Sequence, residues 1–207
     1  MLILLLLLYN NLHVEKNLLG VVVMKVIFLD VDGVLNTEET FERNYQEYLK
    51  TGIKNEPIDE IRIGYLKEIV DKTGAKIVLS SSWRRHCEFE DGLIVSEEGH
   101  TKYLIKMLAK YGMTLYDITG YDREGNRGNE INEWLNQNEV ENFIILDDSS
   151  GDLQDFIDNE LIKTNFYKGE GSGLCQEHID VAIDKLNIVR SKVLVRSRNE
   201  NNIQRSC

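Results

Sequence analysis

Two aspartates one residue apart end an apolar segment near the start of the sequence. Residues 26–29 are Val-Ile-Phe-Leu, and Asp30, Asp32 and Gly33 follow them. A short, partly β-branched apolar run is typical of a buried parallel strand, and ligands bind beyond the carboxyl ends of such strands. Two neighbouring carboxylates repel each other unless a cation or a proton intervenes. The pair therefore favours a magnesium-assisted site in which one carboxylate attacks and the other transfers a proton.

Three later segments carry polar side chains at comparable places. Residues 76–84 read Lys-Ile-Val-Leu-Ser-Ser-Ser-Trp-Arg, a second apolar run that ends in hydroxyl groups. Residues 127–135 read Arg-Gly-Asn-Glu-Ile-Asn-Glu-Trp-Leu, with a basic residue at the start of an amphipathic helix. Residues 142–152 read Asn-Phe-Ile-Ile-Leu-Asp-Asp-Ser-Ser-Gly-Asp, a buried strand that ends in paired acids. Each segment thus combines an element of the fold with groups that could contact an anionic ligand.

The order of these four motifs resembles that of the haloacid dehalogenase (HAD) superfamily of phosphotransferases. More narrowly, Ser-Ser-Ser-Trp-Arg, Arg-Gly-x-Glu-Ile-x-x-Trp-Leu and Leu-Asp-Asp-Ser are similar to the small HAD domain of Swiss-army-knife RNA-repair proteins. The resemblance spans roughly residues 24 to 187. It implies an α/β chain with a three-layer α/β/α Rossmann-like fold, a parallel central sheet and a minimal cap domain or none.

The resemblance also implies a Mg²⁺-dependent phosphatase that hydrolyses a phosphate monoester through an aspartyl-phosphate. In that scheme Asp30 attacks phosphorus and binds the metal ion. Asp32 protonates the leaving oxygen, later deprotonates the hydrolytic water, and offers its backbone carbonyl to the ion. Asp147 or Asp148 completes the metal ligands, with Asp148 preferred, and Asp152 supports them.

Further residues would bind the phosphoryl group or the rest of the substrate. By the same resemblance, the Ser80 hydroxyl binds a phosphoryl oxygen, and backbone N–H groups near Ser81 assist. Arg127 would neutralise charge on the transferring group, at a position where the superfamily usually has lysine. Arginine forms two parallel hydrogen bonds to phosphate, but it is bulkier than lysine. Trp83 and Arg84 are candidate substrate contacts.

Length, charge and cysteine content limit the class of protein. A chain of 207 residues suits one α/β domain with a proper core. The formal net charge is −11, so no global basic field attracts nucleic acid. Three widely spaced cysteines, Cys87, Cys175 and Cys207, argue against a disulfide or zinc scaffold and favour a reducing compartment. We therefore expect a cytoplasmic enzyme.

The two ends of the chain differ from its centre. We interpret residues 1–23 as an upstream extension without a catalytic role, residues 24–190 as the catalytic domain and residues 191–207 as a disordered tail. The leucine-rich run at residues 2–8 is shorter than the ~20 residues of a membrane span. We therefore expect no stable membrane insertion. Met24 directly precedes the first strand and could be the true start.

Between the motifs, apolar periodicity predicts strands that alternate with helices, as in a parallel three-layer domain. The predicted elements are a helix with aromatics at helical spacing within 37–50, a helix opened by Pro57 and closed by Gly74, a helix over 100–111, strands over 115–118 and 161–166, and a last helix around 179–186. The interval between Asp32 and Ser80 leaves room for a small helical flap but not for a large cap. Such an open site admits bulky and small phosphate esters alike.

Several functions stay open from the sequence. The phosphorylated substrate could be a nucleic-acid end, a nucleotide or a small metabolite, because the family resemblance favours the first and the acidic charge favours the others. A receiver-like phospho-accepting signalling module also combines acids, magnesium and a doubly wound sheet. That design, however, needs its phospho-acceptor on a later strand. A catalytically silent binding domain on the same scaffold is the third alternative.

Overall fold

The fold is an α/β arrangement built around one parallel sheet. A computed structural model describes residues 24–188, and all structural statements below refer to these residues. The strands are β1 (Met24–Leu29), β2 (Lys76–Leu79), β3 (Glu88–Glu90), β4 (Leu93–Val95), β5 (Leu115–Ile118), β6 (Val140–Asp147) and β7 (Leu161–Lys163). The α-helices are α1 (Glu38–Thr51), α2 (Glu60–Thr73), α3 (Gly99–Lys110), α4 (Arg127–Gln137) and α5 (Gln176–Asn187). Short 3₁₀ segments cover Ser82–His86 and Gln154–Phe156.

The central sheet has five parallel strands in the order β5-β2-β1-β6-β7, with β1 in the middle. Helices flank it, which confirms the predicted Rossmann-like α/β fold. A separate antiparallel hairpin consists of β3 and β4. The hairpin was not predicted, because its strands have only three residues each and show no readable periodicity.

Alternate residues of β1 pack on opposite faces of the sheet, as the twofold repeat of a strand requires. Ile27 and Leu29 join one apolar cluster, to which α2, α3 and α5 contribute buried side chains. Val26 and Phe28 join a second cluster, where the Phe28 ring lies 5.3 Å from the ring of Trp134 in α4. All four β1 side chains are fully buried. Layers of helices on both faces of the sheet follow from this pattern.

Two predicted element boundaries were wrong. Helix α2 begins at Glu60 and not at Pro57, because the side chain of Asp59 accepts a hydrogen bond from the Ile61 N–H at 3.0 Å and so caps the helix. Strand β7 ends at Lys163 and not at residue 166. The chain leaves the sheet there after the Thr164 N–H has bonded to the Asp147 carbonyl at 2.9 Å.

The space for a cap is as small as predicted. The interval between Asp32 and Ser80 contains α1 and α2, and α2 packs into the core. Helix α1 buries only Thr40 among its side chains, so it forms no more than a small flap. Within the described residues, no helix combines the length and the apolar character needed to cross a membrane.

The predictions for both chain ends fall outside the described residues. The proposed extension over 1–23 and the proposed tail over 191–207 therefore stay predictions, as do the domain boundaries drawn from them.

A buried ion pair joins the segment after β2 to helix α4. The Arg84 Nη2 atom lies 2.7 Å from Glu130 Oε2, and the two side chains are only 6% and 5% exposed. The Arg84 guanidinium also donates to the Ser81 carbonyl at 2.7 Å. Glu130 additionally accepts the Asp122 N–H at 3.1 Å. Removing one partner would leave a buried charge without compensation, which costs far more than loss of a surface pair.

We predict that Glu130→Ala lowers the free energy of unfolding by about 3–5 kcal/mol, because Arg84 would keep its buried charge without an anion. Glu133→Ala, at an exposed site on the same helix, should change it by no more than about 0.5 kcal/mol. Urea unfolding followed by circular dichroism measures both. Equal, small losses in the two variants would contradict a structural role for this ion pair.

Candidate active site

Strand register places the ends of β1, β2 and β6 side by side. Leu29 pairs with Leu79 on one side and with Leu146 on the other. The residues that follow these three leucines are Asp30, Ser80 and Asp147, so their backbones lie in one row at the carboxyl edge of the sheet. The row is continued by hydrogen bonds from the Asp30 N–H to the Leu146 carbonyl and from the Ser80 N–H to the Leu29 carbonyl, both 2.9 Å long.

Three carboxylates converge at this edge. One oxygen from each of Asp30, Asp147 and Asp148 lies within 4.8 Å of the other two. Asp30 and Asp147 are buried, and Asp148 is partly buried. Oxygen atoms from a few carboxylates are the ligands that hard cations such as Mg²⁺ prefer. The cluster could therefore hold a divalent metal ion.

The position of Asp148 depends on the absence of a side chain at Gly33. A Cβ atom built on Gly33 would lie 2.4 Å from the Asp148 Cγ atom, closer than atoms can approach. Gly33 also has a φ angle of +76°, in the left-handed region that favours glycine. The glycine that follows the Asp-x-Asp pair thus lets a carboxylate from the end of β6 come against the β1 turn.

Arg127 brings positive charge to the cluster. Its Nη1 atom lies 3.3 Å from Asp30 Oδ2 and donates a hydrogen bond to Asp147 Oδ2. Arg127 is the first residue of α4, and its backbone N–H donates to Asp152 Oδ2 at 2.7 Å. Close packing fixes this end of the helix, since a Cβ atom at Gly128 would lie 2.4 Å from the Asp152 carbonyl oxygen. The predicted basic residue therefore lies among the predicted acids.

Burial changes the proton affinity of all of these groups. Removal from water is the main cause that raises the pKa of Asp30 to about 6, against the opposing charge of Arg127. Burial likewise raises the pKa values of Asp147 and Asp148, and the charge of Asp30 adds to the effect on Asp148. Burial alone would lower the pKa of Arg127, but Asp30 and Asp147 outweigh it, so the net shift is upward. The charge of Arg127 therefore offsets only part of the effect of burial on the three acids.

The Asp32 carboxylate lies outside the three-acid cluster and has its own donors. The Asn36 Nδ2 atom donates to one of its oxygens at 2.8 Å, and the Trp83 Nε1 atom donates to the other at 2.9 Å. Asn36 is in turn fixed by donation to the Pro57 carbonyl at 3.0 Å and by acceptance of the Gly33 N–H at 3.0 Å. Both Asp32 oxygens are thus oriented by buried or partly buried groups. The backbone carbonyl of Asp32 as a metal ligand stays a prediction.

The two predicted phosphate-binding serines differ in their contacts. The Ser80 hydroxyl is buried and has no hydrogen-bond partner within residues 24–188. The Ser81 hydroxyl interacts with the Asp30 carboxylate and lowers its pKa, and it also accepts the Trp83 N–H at 3.4 Å. Because buried polar groups in proteins are nearly always hydrogen-bonded, the Ser80 hydroxyl is suited to an external ligand.

The two candidate substrate contacts after the serines have protein partners. Trp83 uses its indole N–H on Asp32, and Arg84 is committed to Glu130 and to backbone carbonyls. Both polar groups thus bond to the protein within residues 24–188, and their contact with substrate stays a prediction. The sequence could not show these bonds, because Asp32 lies 51 positions before Trp83 in the chain.

The sequence of this chain matches a known protein family. The family model described as "HAD domain in Swiss Army Knife RNA repair proteins" matches residues 26–171. The chain belongs to this family. The match confirms the resemblance drawn from the motifs, and it indicates a hydrolase of the phosphatase type that acts on a phosphorylated substrate. No curated protein and no solved structure gave a significant match.

Asn36 and Asp152 are the residues of this HAD domain whose roles were missed or only partly foreseen. Asn36 was not singled out, although it follows the Asp-x-Asp-Gly motif by three residues and contacts Asp32 directly. Its spacing from Asp32 could have indicated this contact, because side chains four residues apart can meet in a tight turn. Asp152 was expected to support the metal ligands, and its carboxylate binds the Arg127 N–H.

We predict that Gly33→Ala weakens binding of a divalent cation at least tenfold, because the new methyl group would displace Asp148 from the cluster. Titration calorimetry with Mg²⁺ or Mn²⁺ measures the affinity. Gly112→Ala is the matched control, since Gly112 has a φ angle of +71° and an added methyl group there would meet no heavy atom within 4 Å. Equal affinities in the two variants would show that ion binding does not need Asp148 in this place.

Proposed function

We propose that this HAD domain is a Mg²⁺-dependent phosphatase that hydrolyses phosphate monoesters through an aspartyl-phosphate on Asp30. The observation that carries the proposal is the convergence of three carboxylates and one guanidinium beside a buried hydroxyl that has no hydrogen-bond partner within residues 24–188. Family membership supports a phosphorylated substrate. A phosphate monoester brings about two negative charges, so the acidic cluster needs added positive charge to accept it.

The donor set fits Mg²⁺. Asp30, with Asp147 or Asp148, would bind the ion through carboxylate oxygens, and we propose the Asp32 backbone carbonyl as a further ligand. When bound, the ion supplies positive charge that offsets the carboxylates and the phosphate oxygens. Our preference is for Asp148, because Arg127 hydrogen-bonds to Asp147.

Asp30 is the proposed nucleophile. A carboxylate oxygen forms a bond to phosphorus while the bond from phosphorus to the leaving oxygen breaks, which gives an acyl phosphate. Water then attacks phosphorus and restores the carboxylate. Asp30 is fixed for this role at the end of the central strand, and its backbone N–H continues the hydrogen bonding of the sheet.

Asp32 is the proposed general acid and base. It would protonate the leaving oxygen in the first step and take a proton from water in the second, a contribution of about 10²–10⁴ in rate. Trp83 and Asn36 orient the carboxylate through its two different oxygens. Trp83 is therefore a positioning residue, and its own carbonyl is fixed by the Thr101 hydroxyl at 2.6 Å.

Ser80 and Arg127 would bind the transferring phosphoryl group. Donation to a phosphoryl oxygen would satisfy the buried Ser80 hydroxyl. Arg127 is near enough to Asp30 to contact a group bonded to that carboxylate. Charge stabilisation of this kind is the main contribution of proteins to phosphoryl transfer.

The description of the family, which names RNA-repair proteins, supports a nucleic-acid end or a nucleotide as substrate. The few, widely spaced cysteines support a cytoplasmic setting. A non-catalytic or receiver-like domain is the alternative, and it predicts no turnover of phosphate esters. Substitution of the proposed nucleophile separates these functions.

We predict that Asp30→Asn abolishes hydrolysis of p-nitrophenyl phosphate in the presence of Mg²⁺, because the amide is a poor nucleophile and a poor metal ligand. Asp158→Asn, at an exposed site outside the cluster, should keep wild-type turnover. Circular dichroism checks that both variants fold. Retained turnover in Asp30→Asn would overturn the assignment of the nucleophile, and an inactive wild-type protein would favour the non-catalytic alternative.

We predict that Trp83→Phe lowers kcat about tenfold for an alkyl phosphate and less for p-nitrophenyl phosphate, because an alkoxide leaving group needs the proton from Asp32 and a nitrophenolate scarcely does. The matched control is Trp134→Phe, whose indole N–H donates to Asp117 at 2.7 Å on β5. Steady-state kinetics with both esters give the ratio. An equal loss for the two esters would show that Trp83 does not act through the general acid.

A further inference from the structure

A cleft of about 400 Å³ adjoins Arg127, and the rest of its lining has no role in the mechanism proposed above. Its walls are the 3₁₀ segment after β2, the loop 121–125 after β5 and the start of α4. Arg127 and Asp152 line it as well, and Arg127 also contacts Asp30 and Asp147, so this residue borders both the cleft and the acid cluster. In the sheet order β5-β2-β1-β6-β7, the cleft lies over the β5-β2 side. A substrate whose phosphate lies at Asp30 could extend into it.

Two arginines offer positive charge in this cleft. Arg85 and Arg123 both line it and are exposed, and neither forms an ion pair with any residue of the described range 24–188. The lining also holds Arg84 and Arg127, which are paired with carboxylates, and four acids. The guanidinium groups of Arg85 and Arg123 are therefore the part of the cleft that favours an anionic group at a distance from the reacting phosphate.

Most carboxylates of the cleft are already occupied by donors of the protein. Glu130 is bound to Arg84, and Asp152 accepts the Arg127 N–H. Asp122 accepts a backbone N–H from Asn126 at 3.1 Å, and this bond is the main cause that lowers its pKa. Glu124 is the remaining acid, and it is exposed. Three of these four acids thus have donors within the protein, although each keeps its negative charge.

Tyr121 provides an aromatic surface on the same wall. Its side chain is 57% exposed, and the Arg84 guanidinium carbon lies 4.5 Å from the ring centroid. Because Arg84 is buried and paired with Glu130, the ring rests on a fixed support. An exposed aromatic ring beside arginines is the combination that binds bases and phosphates of nucleic acids.

We propose that this cleft binds the leaving group of a nucleotide substrate, with a base stacked on Tyr121 and a second phosphate on Arg85 and Arg123. The inference rests on the proposed function, since it places the reacting phosphate at Asp30. The chemistry is that of a nucleotide with a terminal phosphate monoester and at least one more phosphate. A nucleoside bisphosphate and the phosphorylated end of an oligonucleotide both carry these groups. A sugar phosphate has neither the base nor the second phosphate.

The test compares kcat/KM for three classes of substrate in the presence of Mg²⁺. These are p-nitrophenyl phosphate, a nucleoside 3′,5′-bisphosphate, and oligonucleotides with a 3′- or 5′-terminal phosphate. We expect Tyr121→Leu and the double substitution Arg85→Gln with Arg123→Gln each to lower the ratio of nucleotide to p-nitrophenyl phosphate kcat/KM about tenfold. Lys50→Gln is the matched control for loss of an exposed cation, on α1 and outside the cleft. It should keep the wild-type ratio.

The two nucleotide substrates identify the source of the ligand. A higher kcat/KM for the oligonucleotides than for the bisphosphate would assign the cleft to a strand end, and the reverse would assign it to a free nucleotide. In both cases the Tyr121 variant and the arginine variant should lose the preference for the nucleotide substrate over p-nitrophenyl phosphate. A ratio in these variants equal to that of Lys50→Gln would overturn the inference and leave the phosphatase assignment in place.

A binding measurement separates failure of this inference from failure of the proposed function. Fluorescence anisotropy with a labelled, terminally phosphorylated oligonucleotide reports binding by the Asp30→Asn protein without turnover. We expect the cleft substitutions to weaken this binding about tenfold and the arginine substitutions to reduce its dependence on salt. If the wild-type protein hydrolyses no ester but this loss occurs, the proposed function fails and the cleft stands. Unchanged affinity in the cleft variants overturns the cleft.

Discussion

Mutual repulsion among three carboxylates is the constraint around which the carboxyl edge of the sheet is arranged. Asp30, Asp147 and Asp148 have oxygens within 4.8 Å of one another, and burial further penalises their negative charge. Arg127 offsets part of this charge through contacts with Asp30 and Asp147. The negative charge that Arg127 does not offset makes the cluster suited to a divalent ion. With that ion bound, the site would also suit a phosphate group.

Two glycines and one helix start make this concentration of charge geometrically feasible. Gly33 leaves the space that Asp148 fills, and Gly128 lets the start of α4 pack against the Asp152 carbonyl. The Asp152 carboxylate binds the Arg127 N–H at the positive end of that helix, where an anion is stabilised. Arg127 is thereby fixed at both its backbone and its guanidinium. The position of the charge-neutralising residue is as closely defined as that of the acids.

One short segment links the proposed acid–base chemistry to the proposed leaving-group cleft. The 3₁₀ turn over Ser82–His86 supplies Trp83, which donates to Asp32, and two arginines that line the cleft. Arg84 fixes this turn to α4 through Glu130 and supports the Tyr121 ring. A leaving group bound in the cleft would therefore contact the same turn that orients the residue proposed to protonate it. This arrangement connects substrate recognition with proton transfer.

The sequence by itself determined the strands that end in chemistry-bearing residues and the fold class, because these depend on local apolar patterns and on motif order. It also placed Asp30, Asp147, Asp148 and Arg127 in one predicted site, since parallel strands share a carboxyl edge. Only the tertiary structure decided the partners of Trp83 and Arg84, the contribution of Asn36 and the cleft formed with Tyr121. Trp83 and Asp32 lie 51 positions apart in the chain, and Arg84 forms its ion pair with Glu130 of helix α4. Contacts of this kind follow from how separate elements pack, and no local pattern of residues encodes them.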